Sequence, residues 1–433
     1  MLYSVPGADE PPSKRSGILN TTPSRFPLTT SGLLAPLRER DFARLWAGQI
    51  VSNSGDWVNY VALTSLVWHL TGSAWMLAAL RACHAVPFLL LSPFSGVLVD
   101  RWNRRTTLIV VDLLRAGLVL LFPLVHDVTA ILLITLAFNI VSTFYAPAKN
   151  ALIPRVVSQD RLLSANSLSS TTSNMAMILG PALGGILLAA SGTTAAFLFD
   201  STTFLFSVAA VASMSVSGSI KRKAAATRPS AWQDLSEGFR FVASRSAVRA
   251  VLLMELALAA GWGSVNVIAV VIAEKVLGGG SAEYGLLLTA TGVGALGGAL
   301  FAGAKGQQLG IWRLFPLGFT LLGSAIALLA GSSVLFAALI AFFFMGTGRI
   351  VIDVASVTTY QKAVPDALLG RVFALRHMVT HVAILTFNQL AGFFTDAASV
   401  TPILAAAAAI QLVFVPLSLL FLAKPRALDP DSS

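Results

Sequence analysis

The sequence predicts an all-α integral membrane protein whose roughly twelve spanning helices form two six-helix bundles. Three observations predict it. Apolar runs long enough to cross a bilayer follow one another almost without pause. The chain is 55% hydrophobic and only 12% charged, against roughly 25% charged for soluble domains. Several residues recur at one constant offset, dividing the spans into two copies. The composition excludes the soluble multidomain organisation that the length would suggest. An outer-membrane barrel would show short segments of alternating polarity instead.

Residues 1–40 are rich in Pro, Ser and Thr, carry Lys14, Arg15, Arg25, Arg38 and Arg40, and lack the apolar core of a signal peptide. A disordered cytoplasmic tail is expected there. Spans are expected near 42–70, 75–98, 106–125, 129–147, 166–190 and 194–216, forming a first bundle over 41–216. A polar segment, 217–246, begins with Lys221-Arg222-Lys223 and then places Trp232, Leu235, Phe239 and Val242 at helical spacing. That pattern predicts an amphipathic helix lying at the membrane surface. Spans near 247–275, 283–302, 311–330, 333–354, 371–394 and 400–422 form a second bundle within 247–424, and 425–433 is a second cytoplasmic tail.

Loop charges set the orientation. The turns near Thr71, Asp127, Gly192, Gly278, Gly331 and Ala397 carry one basic residue, Lys275. The alternate loops carry Arg101, Arg104, Arg105, Lys149, Arg155, Arg161, Lys305, Arg313, Lys362 and Arg371. Cytoplasmic termini follow from the positive-inside rule. The net charge of +10 is therefore a topology signal and not a nucleic-acid surface. The single cysteine, Cys83, lies within a span and is expected to be a small packing residue.

The repeat is carried by pairs at the offset from Gly96 to Gly303: Val58-Asn59 with Val265-Asn266, Val157 with Val364, Leu162 with Leu369, Gly185 with Gly392. Duplicated bundles are a common plan among transporters.

Between the second and third spans, Gly96 to Arg105 reads Gly-Val-Leu-Val-Asp-Arg-Trp-Asn-Arg-Arg. Gly96 would admit a close backbone. Asp100 could accept hydrogen bonds from the arginines or from a neighbouring helix N-terminus. The pattern Gly-x-x-x-Asp-Arg-x-x-Arg-Arg resembles the signature loop of the major facilitator superfamily of transporters, and Gly96, Asp100, Arg101, Arg104 and Arg105 are its expected gating residues. In the second copy Gln307, Gln308 and Trp312 replace Asp100, Arg101 and Arg105, so the second half is expected to lack a charged lock.

No phosphate-binding loop, metal-ligand cluster or activated nucleophile is visible, so neither an enzyme nor a cofactor is expected. The informative residues are ionisable groups inside spans, which are costly in a bilayer and face bundle interiors or wet cavities. Asp56 lies halfway along the first span. Protonation would relieve its insertion penalty, as a proton carrier requires; alternatively it pairs with Arg81 or Arg115. Asp112 and Arg115 share a face of the third span and are expected to tie it to its neighbours. Glu255 could bind a proton or a cation, or be a carboxylate snorkelling to the interface. His377 and His381, one turn apart beside Arg376, could relay protons or make interhelical hydrogen bonds; the spacing also matches zinc ligands, without a further ligand. Asn59, Asn139, Asn266 and Asn388 join Arg81, Asp112 and Arg115 as candidates for lining a substrate cavity.

The fifth span contains Gly180-Pro181-Ala182-Leu183-Gly184-Gly185. Proline is expected to kink this helix and the glycines to bring it against a neighbour. The run resembles the Gly-Pro-x-x-Gly-Gly core of the superfamily's antiporter motif, which implies proton-driven export. Asn174, Met175 and Ala176 replace the glycines expected upstream, and 131–145 lacks the arginine found in many proton-coupled drug exporters. The stretches Asp41-Phe42-x-Arg44-Leu45-Trp46, Ser54-Gly55-Asp56-Trp57 and Glu237-Gly238-Phe239-Arg240-Phe241 are similar to the branch containing enterobactin and macrolide exporters. The resemblance implies a monomeric secondary transporter of the bacterial inner membrane, whose partners are an amphipathic small molecule, protons and lipid. An importer on the same fold and a non-transporting receptor or scaffold are the alternatives. The antiporter-like glycines disfavour import, and the insertion cost of the buried charges disfavours a scaffold.

Overall fold

The computed structural model of the protein describes residues 34–216 and 231–422. The expected tail over 1–33, the basic triplet 221–223 and residues 423–433 lie outside the described residues.

Each helix has local reasons for its limits. A 3-10 turn, Ala35–Arg38, leads into α1, Arg40–Thr71, so the ordered chain begins before residue 41. Gly72, left-handed at φ 58°, ends α1 with its N–H on the Trp68 carbonyl, a stop that glycine adopts without strain. Ser73 caps α2, Ala74–Arg101. Asn103 caps α3, Arg104–Val119, its Oδ1 accepting from Thr106 N at 3.2 Å. Only Trp102 and Asn103 separate α2 from α3, so most of the Gly96–Arg105 motif is helix and not loop. Asp127 caps α4, Val128–Ser142.

The fourth crossing differs from expectation. It bends at Thr143-Phe144 and continues as α5, Tyr145–Val156, so Lys149 and Arg155 sit on a helix and not in a loop. The fifth and sixth crossings form α6, Leu162–Ala212, broken only at Gly192 (φ 76°, ψ 176°). One residue outside helical geometry replaces a whole turn, and the arms are 162–191 and 193–212. The helix runs through Pro181 without a break.

The amphipathic stretch forms α7, Ala231–Ser244. Its apolar stripe does not act as one face. Val242 is buried while Phe239 is exposed, and Gly238 sits on the backbone of Arg371, with Glu237 paired to Arg371 at 2.5 Å. α7 is therefore docked on protein as well as available to a surface. The second half comprises α8, Ser246–Val271, with a π turn Ile272–Val276; α9, Ser281–Leu309; α10, Ile311–Ala330; α11, Leu335–Ala363; α12, Asp366–Ala397; and α13, Val400–Leu422.

Among the described residues, ten stretches are long and apolar enough to cross a membrane. One of them, Gln159–Ala212, is two crossings because of Gly192. α1 is long enough but falls outside the ten, since Gln49, Ser52, Asn53, Ser54, Asp56 and Asn59 dilute its hydropathy. Counting both gives the twelve crossings of a two-bundle helical membrane protein.

α1 lies between the two arms of α6. Gly48 faces Ser207 on one arm, and Gly184 on the other faces Val58 and Val61. The halves meet where α6 touches α9 and where α2 touches α12. At Gly185 an added Cβ would lie 2.6 Å from the Ser281 carbonyl oxygen and 3.2 Å from Gly285 Cα, so the predicted glycine contact exists and joins the two halves.

The core is asymmetric along the membrane normal. At the end bearing the Asp127 and Gly331 turns, one apolar cluster spans both halves, including Val61, Leu77 and Phe122 with Val267, Tyr284 and Leu404. At the end bearing the Gly96–Arg105 motif, each half has its own cluster: Phe42, Leu45, Leu108 and Leu152 in the first, Val248, Phe315, Val351 and Val372 in the second. The molecule is closed at the first end and parted at the second.

Candidate functional site

Two charged clusters lie among the spanning helices, one in each half. In the first, Arg115 on α3 is the hub. Its Nη2 donates to Asp56 Oδ1 on α1 and its Nη1 to Asp112 Oδ1 at 3.4 Å. Ser207 Oγ donates to Asp112 Oδ2 at 2.7 Å. The Phe204 ring lies 4.2 Å from the guanidinium carbon, a cation–π contact that is strong where water is excluded. Asp112 and Arg115 are buried, while the Asp56 side chain is 34% exposed. Of the two partners that Asp56 was expected to find, the structure selects Arg115. Asp200 on α6 joins this cluster fully buried, with the Asn59 side chain beside its carboxyl.

In the second half, Arg376 Nε on α12 donates to Glu255 Oε1 on α8 at 2.6 Å, and its Nη2 pairs with Asp353 on α11. Tyr360 OH donates to Glu255 Oε2 at 3.2 Å. Glu255 is 2% exposed, which removes the snorkelling reading. Arg349 stacks on Trp262 at 4.7 Å. His377 and His381 sit beside this cluster on α12 with ring centroids 6.1 Å apart; His381 Nδ1 lies 2.8 Å from the His377 carbonyl oxygen.

Towards the closed end, Arg81 is buried with its guanidinium 3.9 Å from the Tyr60 ring and 3.4 Å from Tyr284 OH across the halves. Among the described residues it has no carboxylate partner, so it does not pair with Asp56. His84 Nδ1 lies 3.1 Å from Asn139 Oδ1, and Asn266 lies beside the Tyr60 hydroxyl. The offset-related residues Asn59 and Asn266 thus serve different partners. Asn388 is buried, with its Oδ1 unpartnered among the described residues.

Asp396, near the end of α12, accepts from Ser73 Oγ at 2.5 Å, Ala74 N at 2.7 Å and Trp75 N at 3.1 Å. A carboxylate of one half therefore caps the α2 N-terminus of the other, where a helix favours negative charge. Gln389 Nε2 donates to the Ala78 carbonyl at 2.8 Å, and His69 lies 3.4 Å from Glu274. These contacts all cross between halves at the closed end.

The Gly96–Arg105 motif is at the parted end. Asp100 is 66% exposed and 3.8 Å from Arg104. Arg105 donates to the Val211 and Ala212 carbonyls at the end of α6, at 3.1 and 2.5 Å, while Arg101 is exposed. Among the described residues no neighbouring atom lies within 4 Å of a Cβ built on Gly96, so the close backbone expected there is not found among them in this conformation. Gly180 and Gly184 pack on α1, where a Cβ on Gly180 would strike Trp57.

Sequence reasoning missed Asp200, Asp353, Arg349, His84 and Asp396. The first four carried the signal that selected Asp56, an ionisable residue inside an apolar run. Asp396 carried none, since an acid at a helix end is ordinary until its partner is seen.

A family model described as transmembrane secretion effector matches residues 31–432. The chain is 26% identical over 352 residues to the MFS-type transporter YfiS of Bacillus subtilis, covering 80% of this chain and 84% of that one. It is 23% identical over 362 residues to macrolide efflux protein A of Streptococcus pyogenes, with 82% and 89% covered. The crystal structure of a point mutant of nucleoside transporter NupG superposes with a TM-score of 0.73 at 12% identity, covering 89% of this chain and 99% of that one; this likeness shows the fold. The chain belongs to the transmembrane secretion effector family of major facilitator superfamily transporters, and is a multi-pass membrane transporter and not an enzyme.

Proposed function

We propose that the protein is a proton-coupled exporter of an amphipathic small molecule, such as a drug, macrolide or siderophore, working by alternating access in the bacterial plasma membrane. The bundles 41–216 and 247–424 are the two moving units, linked by 217–246. The observation that carries this reading is the core shared at one end and divided at the other, the form expected of one extreme of a rocking transporter. The basic residues at the divided end make it the cytoplasmic side, with both termini there, so this conformation receives cargo from within. Export is supported by the Gly180–Gly185 run and by the likeness to a macrolide efflux protein. Asp56 is the favoured coupling group because it alone in its cluster is both ion-paired and partly open to solvent. Purified protein in proteoliposomes with an imposed pH gradient should move a macrolide or siderophore against proton flow. Movement only in the direction of proton flow would favour an importer, and no flux across the panel would remove the coupled reading.

The two gates give a paired expectation. Asp396→Asn weakens a charge-assisted cap, for which a loss of about 1–3 kcal/mol is typical, and should raise the fraction open to the outside. Asp100 makes no contact across the halves among the described residues and is assigned to the opposite state, so Asp100→Asn should raise the fraction in the present conformation. Gln307→Ala should change little, because its loop lacks the charges. Spin labels at Thr71 and Ser399, in a Cys83→Ser background, report the outer separation. Identical distance distributions for all three variants would remove both gate assignments.

A further inference from the structure

Asp200 has no role in the reading above, yet it is as enclosed as Asp112 in the first cluster. It is fully buried on the second arm of α6. Its carboxyl rests on the backbone of α1 at Gly55, where an added Cβ would collide with Asp200 Oδ1 and Thr203 Oγ1. The glycine before Asp56 thus makes the notch that holds a second carboxyl near it. Thr203 Oγ1 lies 3.3 Å from Asp200 Oδ1, and the Asn59 side chain is beside the same carboxyl. Asp200 Oδ2 has no partner among the described residues.

The cluster contains three acids and one base. Asp56 from α1 and Arg115 from α3 are the charged groups that act on Asp200 from neighbouring helices. Asp112 and Tyr145 act on Arg115 in turn. In this conformation the guanidinium hydrogen-bonds Asp56 and Asp112. A third ionised carboxylate, sealed from water and without its own cation, is a costly arrangement. Neighbouring carboxyls resolve such a conflict when one of them keeps its proton.

We propose that Asp200 is a second proton site of the transport cycle: it carries the proton while Asp56 holds Arg115, and passes it to Asp56 when that ion pair opens. In the transfer the O–H bond at Asp200 breaks and one forms at Asp56. Asp200 becomes the carboxylate and takes over Arg115, so the cluster keeps its charge and the guanidinium is never unpaired. The proton on Asp56, partly exposed, then exchanges with the cavity. This rests on the proton-coupled reading, and it makes the coupling unit the Asp56–Asp200 pair and not a single acid.

The test needs no substrate. Infrared spectra of the reconstituted full chain at pH 7, with and without deuterium exchange, report protonated carboxyl groups. Wild type should show a protonated-carboxyl band that is lost in Asp200→Asn, retained in Asp112→Asn and Glu255→Gln, and lost also in Asp56→Asn, where Arg115 is free for an ionised Asp200. Asp200→Asn copies the neutral acid and should match wild type in melting temperature. If that variant fails to fold, Asp200→Glu, which keeps an acid in place, should shift the band, and an unshifted band overturns the proposal. A wild-type spectrum without the band, or an unchanged band in Asp200→Asn, overturns the proposal. Flux under a pH gradient judges the exporter reading separately: wild-type flux with an unchanged Asp200→Asn spectrum sinks only the second site, and absent wild-type flux sinks the coupling and, with it, the part of Asp200 in the cycle, whatever the spectrum shows.

Discussion

Asp56→Asn is expected to fold and to lose transport driven by a pH gradient, down to the level of protein-free liposomes. The fold survives because Arg115 does not depend on Asp56 alone. The guanidinium keeps Asp112 at 3.4 Å and the Phe204 ring at 4.2 Å, so the substitution leaves a buried cation that still has a carboxylate. Replacing a partly exposed carboxylate that is not the sole partner should change stability by about 1 kcal/mol or less. The permanent amide mimics the protonated state, and a carrier that cannot release its proton cannot convert a gradient into work. Exchange of labelled macrolide across the membrane without a gradient should persist. Purified yield, melting temperature and gradient-driven flux, measured together, decide the matter. Poor yield rescued by neutralising Arg115 would make Asp56 a structural partner. Full pH-driven transport by a well-folded variant would move the coupling to Glu255 or the His377–His381 turn.

Arg376→Gln should produce the largest loss of stability of any single change in the second half. It leaves Glu255, 2% exposed, with only the Tyr360 hydroxyl at 3.2 Å. Removing one partner of a buried ion pair typically costs about 3–5 kcal/mol, because the remaining charge is left without compensation. Asp353 is 38% exposed on its side chain and can be hydrated, so the penalty concentrates on Glu255. The double change Arg376→Gln with Glu255→Gln should restore much of the loss, since two neutral amides can hydrogen-bond in the same place. Melting temperatures of the solubilised single and double variants test this. An Arg376→Gln protein as stable as wild type would show that Glu255 is neutral or reached by water.

What could be read in the sequence follows from which interactions are local. The number of crossings and the glycine contact at Gly185 were legible because each depends on a run of neighbouring residues. The pairing of Asp112 with Arg115 was legible for the same reason, as residues three apart on a helix share a face. The partner of Asp56 was not, since Arg81 and Arg115 are both buried cations and only packing chooses between them. Asp200 went unread although it lies in an apolar run, because its meaning comes from the notch at Gly55 on another helix. The fused fifth and sixth crossings were hidden as well: Gly192 marks a turn, but nothing local says that a turn can be one residue long.

The polarity of α1 has a consequence for biogenesis. Trp46, Gln49 and Asn53 find their hydrogen-bond partners at Thr172 and Ser173 on α6, 120 to 126 positions later in the chain. Asp56 waits 59 positions for Arg115. At about 5–20 residues per second of synthesis, α1 stands at the translocon for on the order of ten seconds before its polar face can be covered. An aspartate near the centre of an isolated helix costs roughly 2.5–3.5 kcal/mol to insert, so the nascent α1 is held in the bilayer only marginally. Its passage into lipid is completed by α3 and α6, and the first spanning helix is secured only after the five helices that follow it have been made.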